Sequence, residues 1–188
     1  MVLGLSILLI FIVIIIAIVI LMFIYYYNRF VVLENRIDNS LAQIDVQLRK
    51  RADLVPSLVK IVKGYASHEK SIMESVTKAR SEMLNARNIA DKMKAGDKLQ
   101  KVLGSIFAIA ENYPNLKANE NYLQLQTELS SIEDKIAYSR QYYNDSVLDL
   151  ENASERFPGV FFFKLYGRKK KEYLKLPETS RAVPKIDL

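Results

Sequence analysis

From Ile7 to Ile24 every position is apolar, and sixteen of those eighteen residues are Ile, Leu, Val or Phe. A helix crossing hydrocarbon needs about 20 apolar residues at roughly 1.5 Å each. On an insertion scale those sixteen side chains contribute roughly −5 to −10 kcal/mol. No core helix of a soluble domain is apolar all round for that length. The pattern predicts a membrane span over about residues 6–27, within an anchor of residues 1–27. Secretory signals are shorter in their apolar part, start basic and end at a small-residue cleavage site, none of which this stretch has, so a retained anchor is expected. Tyr25, Tyr26 and Tyr27 close the run as an interfacial aromatic belt would.

Beyond the anchor the spacing changes from continuous to helical. Phe30, Leu33, Ile37, Leu41, Ile44, Leu48, Ala52 and Val55 step by three and four, so the span is expected to continue into a long first helix. Pro56 lacks an amide donor and crowds the carbonyl of Ala52, which predicts a kink before the stripe resumes at Leu58. A second helix is expected from Glu69 to Lys94. Ala95-Gly96-Asp97 reads as a turn, with Asp97 capping a third helix from Leu99 to Ala110. Tyr113-Pro114-Asn115 stops that helix. A fourth, long helix carries Tyr122, Leu125, Leu129, Ile132, Ile136, Tyr143, Val147 and Leu150, and ends at Phe157-Pro158-Gly159. The fold class expected is all-α: a transmembrane helix continuing into an antiparallel four-helix bundle over 28–159, with the first and fourth helices long. The fourth helix should return toward the bilayer. Residues 160–175 form an aromatic and basic segment, and 176–188 a disordered tail.

All 27 basic and 21 acidic residues lie after the anchor, for a net charge of +6. That excess is mild, and nucleic acid is not an expected partner. There is no cysteine, so neither disulfides nor thiolate metal sites stabilise the fold. The N-terminal flank has no Lys or Arg, while Arg29, Arg36, Arg49, Lys50 and Arg51 follow the span. The positive-inside tendency then places the N-terminus outside and the bundle in the cytoplasm of a single-pass cell-membrane protein.

Three ordered blocks bear a resemblance. They are Gln43 to Pro56 (QIDVQLRKRADLVP) running on through Val62 to Glu69 (VKGYASHE), Tyr113 to Asn121 (YPNLKANEN) with Leu123 to Gln126 (LQLQ), and Ile136 to Asn144 (IAYSRQYYN) with Arg156-Phe157-Pro158. They resemble the LemA family over about residues 25 to 175. The resemblance implies a bacterial or archaeal membrane protein with one N-terminal span and a helical bundle, and it implies no catalytic function. Trp is common in the family where Leu41 stands, and the Arg168–Lys171 run is more basic than the family pattern.

Candidate chemistry is sparse. The one histidine, His68, falls in a predicted turn beside Glu69, and a zinc site needs three or four ligands, so neither a metal nor a cofactor is expected. Nucleotide-binding glycine loops and the hydrolase nucleophile elbow are absent, so no enzyme is expected. Asn144-Asp145-Ser146 and Asn152-Ala153-Ser154 match the glycosylation pattern on an expected cytoplasmic helix, where it is coincidental. The polar positions of the resembling blocks are the candidate interaction residues: Asp45, Gln47 and Arg51 beside the first helix stripe, and Asn119, Asn121, Gln124 and Gln126 at the start of the fourth helix. Two readings stand open. Half-buried amides fix register or partner choice, or the groups are a capped and solvated helix start.

The tail carries two readings as well. Phe161, Phe162 and Phe163 either wedge into the lipid interface while Arg168, Lys169, Lys170 and Lys171 meet anionic lipid, or they cap the open end of the core. The function expected is a non-enzymatic, membrane-anchored scaffold or adaptor presenting its bundle to an unidentified protein partner at the inner membrane face, with self-association as a further expectation. The alternative is a sensor that couples membrane state to the bundle through the continuous first helix.

Overall fold

The structure is a computed structural model that describes residues 2–174, leaving the expected 176–188 tail outside the described residues. Among the described residues it has six helices and no strand: α1 Val2–Tyr65, α2 Lys70–Asn85, α3 Ile89–Ala110, α4 Pro114–Lys117, α5 Glu120–Glu155 and α6 Gly159–Leu165. The all-α class and the continuation of the apolar run into a long first helix are both observed. The described chain divides into two compact units: residues 2–39 with 142–174, and residues 40–141.

In α1 the change of pattern is a change of environment. Residues 7–16 and 18–20 are exposed around the whole helix, and the most apolar window has none of its residues buried. The helix is long and apolar enough there to cross a membrane. From Phe30 onward most of the sequence stripe is buried, with Phe30, Ile37, Ile44, Ala52 and Leu58 fully enclosed; Leu41 is only half-buried, and the polar Ser40, Gln47 and Arg51 are buried beside the stripe. Each large aliphatic or aromatic side chain among them contributes about 1.5–3 kcal/mol by burial.

Pro56 does not end α1, which runs on to Tyr65. The amide it lacks would have served the carbonyl of Ala52, one turn earlier. That carbonyl instead accepts a 2.8 Å hydrogen bond from Arg80 Nε of α2. The proline therefore creates a docking point for a neighbouring helix.

Two expected boundaries are corrected. The second helix ends at Asn85 rather than Lys94, and the break falls at Ala86–Asn88. Asn88 starts α3: its Oδ1 accepts from the Asp91 amide at 2.8 Å and its Nδ2 donates to Asp91 Oδ2 at 2.7 Å. That reciprocal cap satisfies an otherwise orphaned donor of the first turn. Gly96, expected in a turn, lies inside α3 and buried, because Leu48 of α1 needs the space a side chain would take: a Cβ there would collide with Leu48 Cδ2. Two short helices, α4 and α6, were not expected. The first has Pro114 at its N-terminal position, where a missing amide costs nothing.

Candidate functional site

The second unit is organised around a charged seam. Arg51 projects from α1 and is 1% exposed. Its guanidinium donates to Glu133 of α5 and, at 3.4 Å, to the backbone carbonyl of Gly96 in α3. Burial pulls the Arg51 pKa down, opposed chiefly by Glu133. One position along α3, Asp97 accepts a 2.7 Å bond from the buried Arg140 of α5. Two cations and two carboxylates thus interlock α1, α3 and α5. Gln47, one turn before Arg51, is also buried, and its Oε1 has no partner; the Nε atoms of Arg51 and Arg140 are likewise unsatisfied.

Of the other candidate interaction residues, Asp45 pairs with Lys92 of α3 at 2.6 Å on the partly exposed edge of this seam. Asn119 sits elsewhere and serves as a cap. Its Oδ1 accepts from the Tyr122 amide at 3.0 Å, and its Nδ2 donates to Tyr65 at 3.1 Å. Gln124 donates to Glu128 one turn on at 3.2 Å, and Asn121 and Gln126 are exposed. The structure therefore gathers Asp45, Gln47 and Arg51 and leaves the α5 amides apart from them. Asp97, Glu133, Arg140, Arg80 and Lys92 were missed. Their spacing is that of ordinary solvated helix faces, and no local signal separates them from the other charges; only the reading of Ala95–Asp97 as a turn stood in the way of seeing Asp97 on a seam.

A groove of about 600 Å³ opens on the same unit between the last turns of α1 and the length of α2. Val59 and Met73 form apolar ground, and Lys63, Lys70 and Lys78 against Glu74 give the rim a positive balance.

In the first unit the aromatic segment folds back on α1. Phe163 is 7% exposed and packs edge-on against Phe30 at 5.3 Å; Phe162 stacks on Tyr26 at 5.0 Å. Tyr166 donates to the Phe23 carbonyl at 2.7 Å. Phe161 is 70% exposed. A Schellman turn ends α6: the Gly167 amide donates to Lys164 and the Arg168 amide to Phe163, with Gly167 at φ +62°, where a side chain would be strained.

The basic run is placed as follows. Arg168 ion-pairs with Glu34 and lies over the rings of Tyr27, Tyr166 and Phe30, at 5.3, 5.9 and 6.0 Å. Lys170 pairs with Glu155, Lys171 approaches Asp38 at 3.8 Å, and Lys169 is exposed. The following segment is tied to α5 by Asn144, which both donates to the Leu174 carbonyl at 3.1 Å and accepts from the Leu174 amide at 2.8 Å. Tyr143 donates to the Glu172 carbonyl at 2.9 Å. The amide in the first glycosylation pattern is thereby occupied within the chain. Among the described residues no three His, Asp or Glu side chains come together as a metal site.

Residues 40–188 match the profile of the LemA family. The chain belongs to that family. Other relatives of this LemA-family chain are the magnetosome protein MamQ of Magnetospirillum gryphiswaldense, 25% identical over 173 residues, and MamQ 2 of Paramagnetospirillum magneticum, 24% identical over 173 residues. Each alignment covers 78% of this chain and 64% of the relative, so the chain spans somewhat less than two thirds of these proteins' length. Protein LemA of Metamycoplasma hominis is 29% identical over 113 residues, 59% of this chain and 51% of that protein. None of these names denotes an enzyme. With its exposed apolar run, this LemA-family chain is a membrane-associated helical protein.

Proposed function

We propose that the chain is a non-enzymatic, single-pass adaptor whose second unit takes an amphipathic helix of a partner protein into the α1–α2 groove. The observation that carries this reading is the groove itself. Its lining runs along about three turns of α2 with apolar ground at Val59 and Met73, and three lysines against one glutamate favour a partner helix with acidic flanks. The Lys and Arg asymmetry about the span supports a cytoplasmic second unit and an external N-terminus. A photo-crosslinking residue at Thr77 in living cells tests the groove. A recurrent product that maps to an acidic helix, and is lost on reversing Lys63 and Lys70 to Glu, supports the adaptor. Products with a second copy of the chain make it a self-assembling scaffold, and no product overturns the groove reading. Digestion of a C-terminal tag from outside intact cells would reverse the orientation.

One observation favours a second reading, a sensor. Helix α1 is unbroken from Val2 to Tyr65, so the apolar run and the groove wall at Val59 and Lys63 belong to one element. A change in groove crosslinking on altering bilayer thickness, with the partner absent, would favour the sensor over the adaptor.

A further inference from the structure

Helix α6 meets α1 at the end of the apolar run, and both of its ends do so at one level. At its start Gly159 lies so near Tyr26 that a Cβ would come within 3.2 Å of the ring. At its end Tyr166 packs edge-on against Phe23 and Tyr27, with centroids 5.0 and 5.5 Å apart, and its hydroxyl donates to the Phe23 carbonyl at 2.7 Å. The 7 residues of α6 make a helix about 10 Å long, whereas Phe23 to Tyr27 is little more than one turn of α1. So α6 lies across α1 rather than along it.

Two neighbours tell which side of α6 is turned toward the apolar run. Phe162 is on that side, its ring 6.2 Å from Phe23 and stacked on Tyr26; Phe163 is on the other, against Phe30. At about 100° per residue, Phe161 and Leu165 fall on the Phe162 side and Lys164 on the Phe163 side. Phe161 and Leu165 are 70% and 68% exposed, and Phe157, whose ring meets Phe161 edge-on at 6.3 Å, is 80% exposed. Three large apolar side chains thus stand uncovered on the side toward the span, and a lysine on the side away from it. Phe23 and Ile24 of α1, at the same level, are exposed too. In the basic run that follows, Arg168, Lys170 and Lys171 face carboxylates, so what this region offers its surroundings is chiefly apolar.

We propose that α6 is an interfacial helix. It lies in the acyl–headgroup boundary of the bilayer that α1 spans, with Phe157, Phe161 and Leu165 among the upper acyl chains and Lys164 reaching the phosphates. Phe162 and Phe163 attach it to α1 and are not its lipid contacts. The face takes lipid, not a second copy, because it is continuous with the exposed apolar run and shares its depth, where hydrocarbon already surrounds α1. A helix fixed both to α1 and in the interface sets the depth and tilt of the span. The assignment rests on the membrane location and is independent of the partner groove.

The chain has no tryptophan, so a single Phe161→Trp change reports on this face in the full chain, reconstituted in phosphatidylcholine vesicles. Acyl chains brominated near the glycerol should quench its emission by about half, more than chains brominated near the methyl end, and raised salt should leave that quenching unchanged. Leu165→Trp should respond alike and Lys164→Trp markedly less, the alternation of a helix lying in the interface. Quenching by aqueous iodide instead of by bromolipid, or an equal response of the three variants, would overturn the proposal. A blue-shifted emission that ignores bromolipid and reddens as the chain is diluted in lipid would put a second copy on the face and overturn the lipid contact. Quenching that appears only with anionic lipid and is lost in salt would return the contact to the basic run and overturn the apolar wedge. Carbonate extraction of the wild type reads the span separately. A chain that washes off overturns the membrane location and this site together, whereas an embedded chain whose Phe161→Trp variant is unquenched overturns the interfacial helix alone.

Discussion

Each unit holds an arginine largely out of water, and the two are held in opposite ways. In the second unit Arg51 stands within a helix, between two others, and is neutralised by Glu133 and by a backbone carbonyl of α3. In the first unit Arg168 follows a helix, is neutralised by Glu34, and is otherwise surrounded by the faces of three aromatic rings. A charge surrounded by other charges and polar backbone depends on every partner staying in place. One laid on ring quadrupoles depends less on any single group, because the rings also pack against each other. The second unit is thus expected to fail sharply when its seam is cut, and the aromatic unit to weaken gradually.

Glu133→Gln should have the largest effect. It leaves the Arg51 charge buried without its main partner, and losing a partner of a buried pair costs about 3–5 kcal/mol. Glu133 is 40% exposed and Asp97 also acts on Arg51, so about 2–3 kcal/mol is expected, read as unfolding of the full chain in detergent. Arg51→Met, which removes the charge itself, should cost less than Glu133→Gln; the reverse order would mean that the seam is not charge-limited.

Arg168→Ala should cost about 1–2 kcal/mol, shared between the Glu34 pair and the ring contacts. A loss as steep as that of Glu133→Gln would erase the contrast between the units. Gly96→Ala drives a methyl into Leu48 Cδ2 in a buried contact. Overpacking of about 1–3 kcal/mol outweighs the roughly 1 kcal/mol helix-propensity gain, for a net loss of about 1 kcal/mol by thermal unfolding.

Tyr143→Phe removes one hydrogen bond to the tail segment, about 1 kcal/mol. It also tests a pH dependence. Burial, with Asp38 and Glu172 nearby, raises the Tyr143 pKa, so the folded state holds the neutral hydroxyl where the unfolded chain ionises at about pH 10. The wild type should therefore lose stability as pH rises above about 10, and Tyr143→Phe should lose less over the same range. Smallest of all, Gln47→Leu removes a buried oxygen with no partner and should be neutral or stabilising by up to about 1 kcal/mol. Destabilisation would show that Gln47 makes a contact the seam depends on.

The stripe from Phe30 to Val62 was legible because a helix burying one side must place apolar groups at three- and four-residue steps. The Asn119 start of α5 was legible as a candidate, though its function as a cap was one of two open readings. The break at Ala86–Asn88 was not legible: the small and apolar stripe through Met83, Ala86, Ala90 and Met93 continues across it, and only the Asn88 side chain bonding to Asp91 marks the restart. The return of the aromatic segment to Tyr26 and Phe30 was only half legible, since composition offers lipid and core as equal hosts for phenylalanine.

Sequence alone determined the helical class and the extent of the apolar run, because these follow from local spacing and from the cost of placing such a surface in water. Only the tertiary structure decided which charges are paired. Whether Arg51 meets Glu133, 82 residues away, or Arg168 meets Glu34, 134 residues away, depends on how helices distant in the chain are brought side by side. Periodicity specifies the face a helix buries, and leaves open what that face will meet.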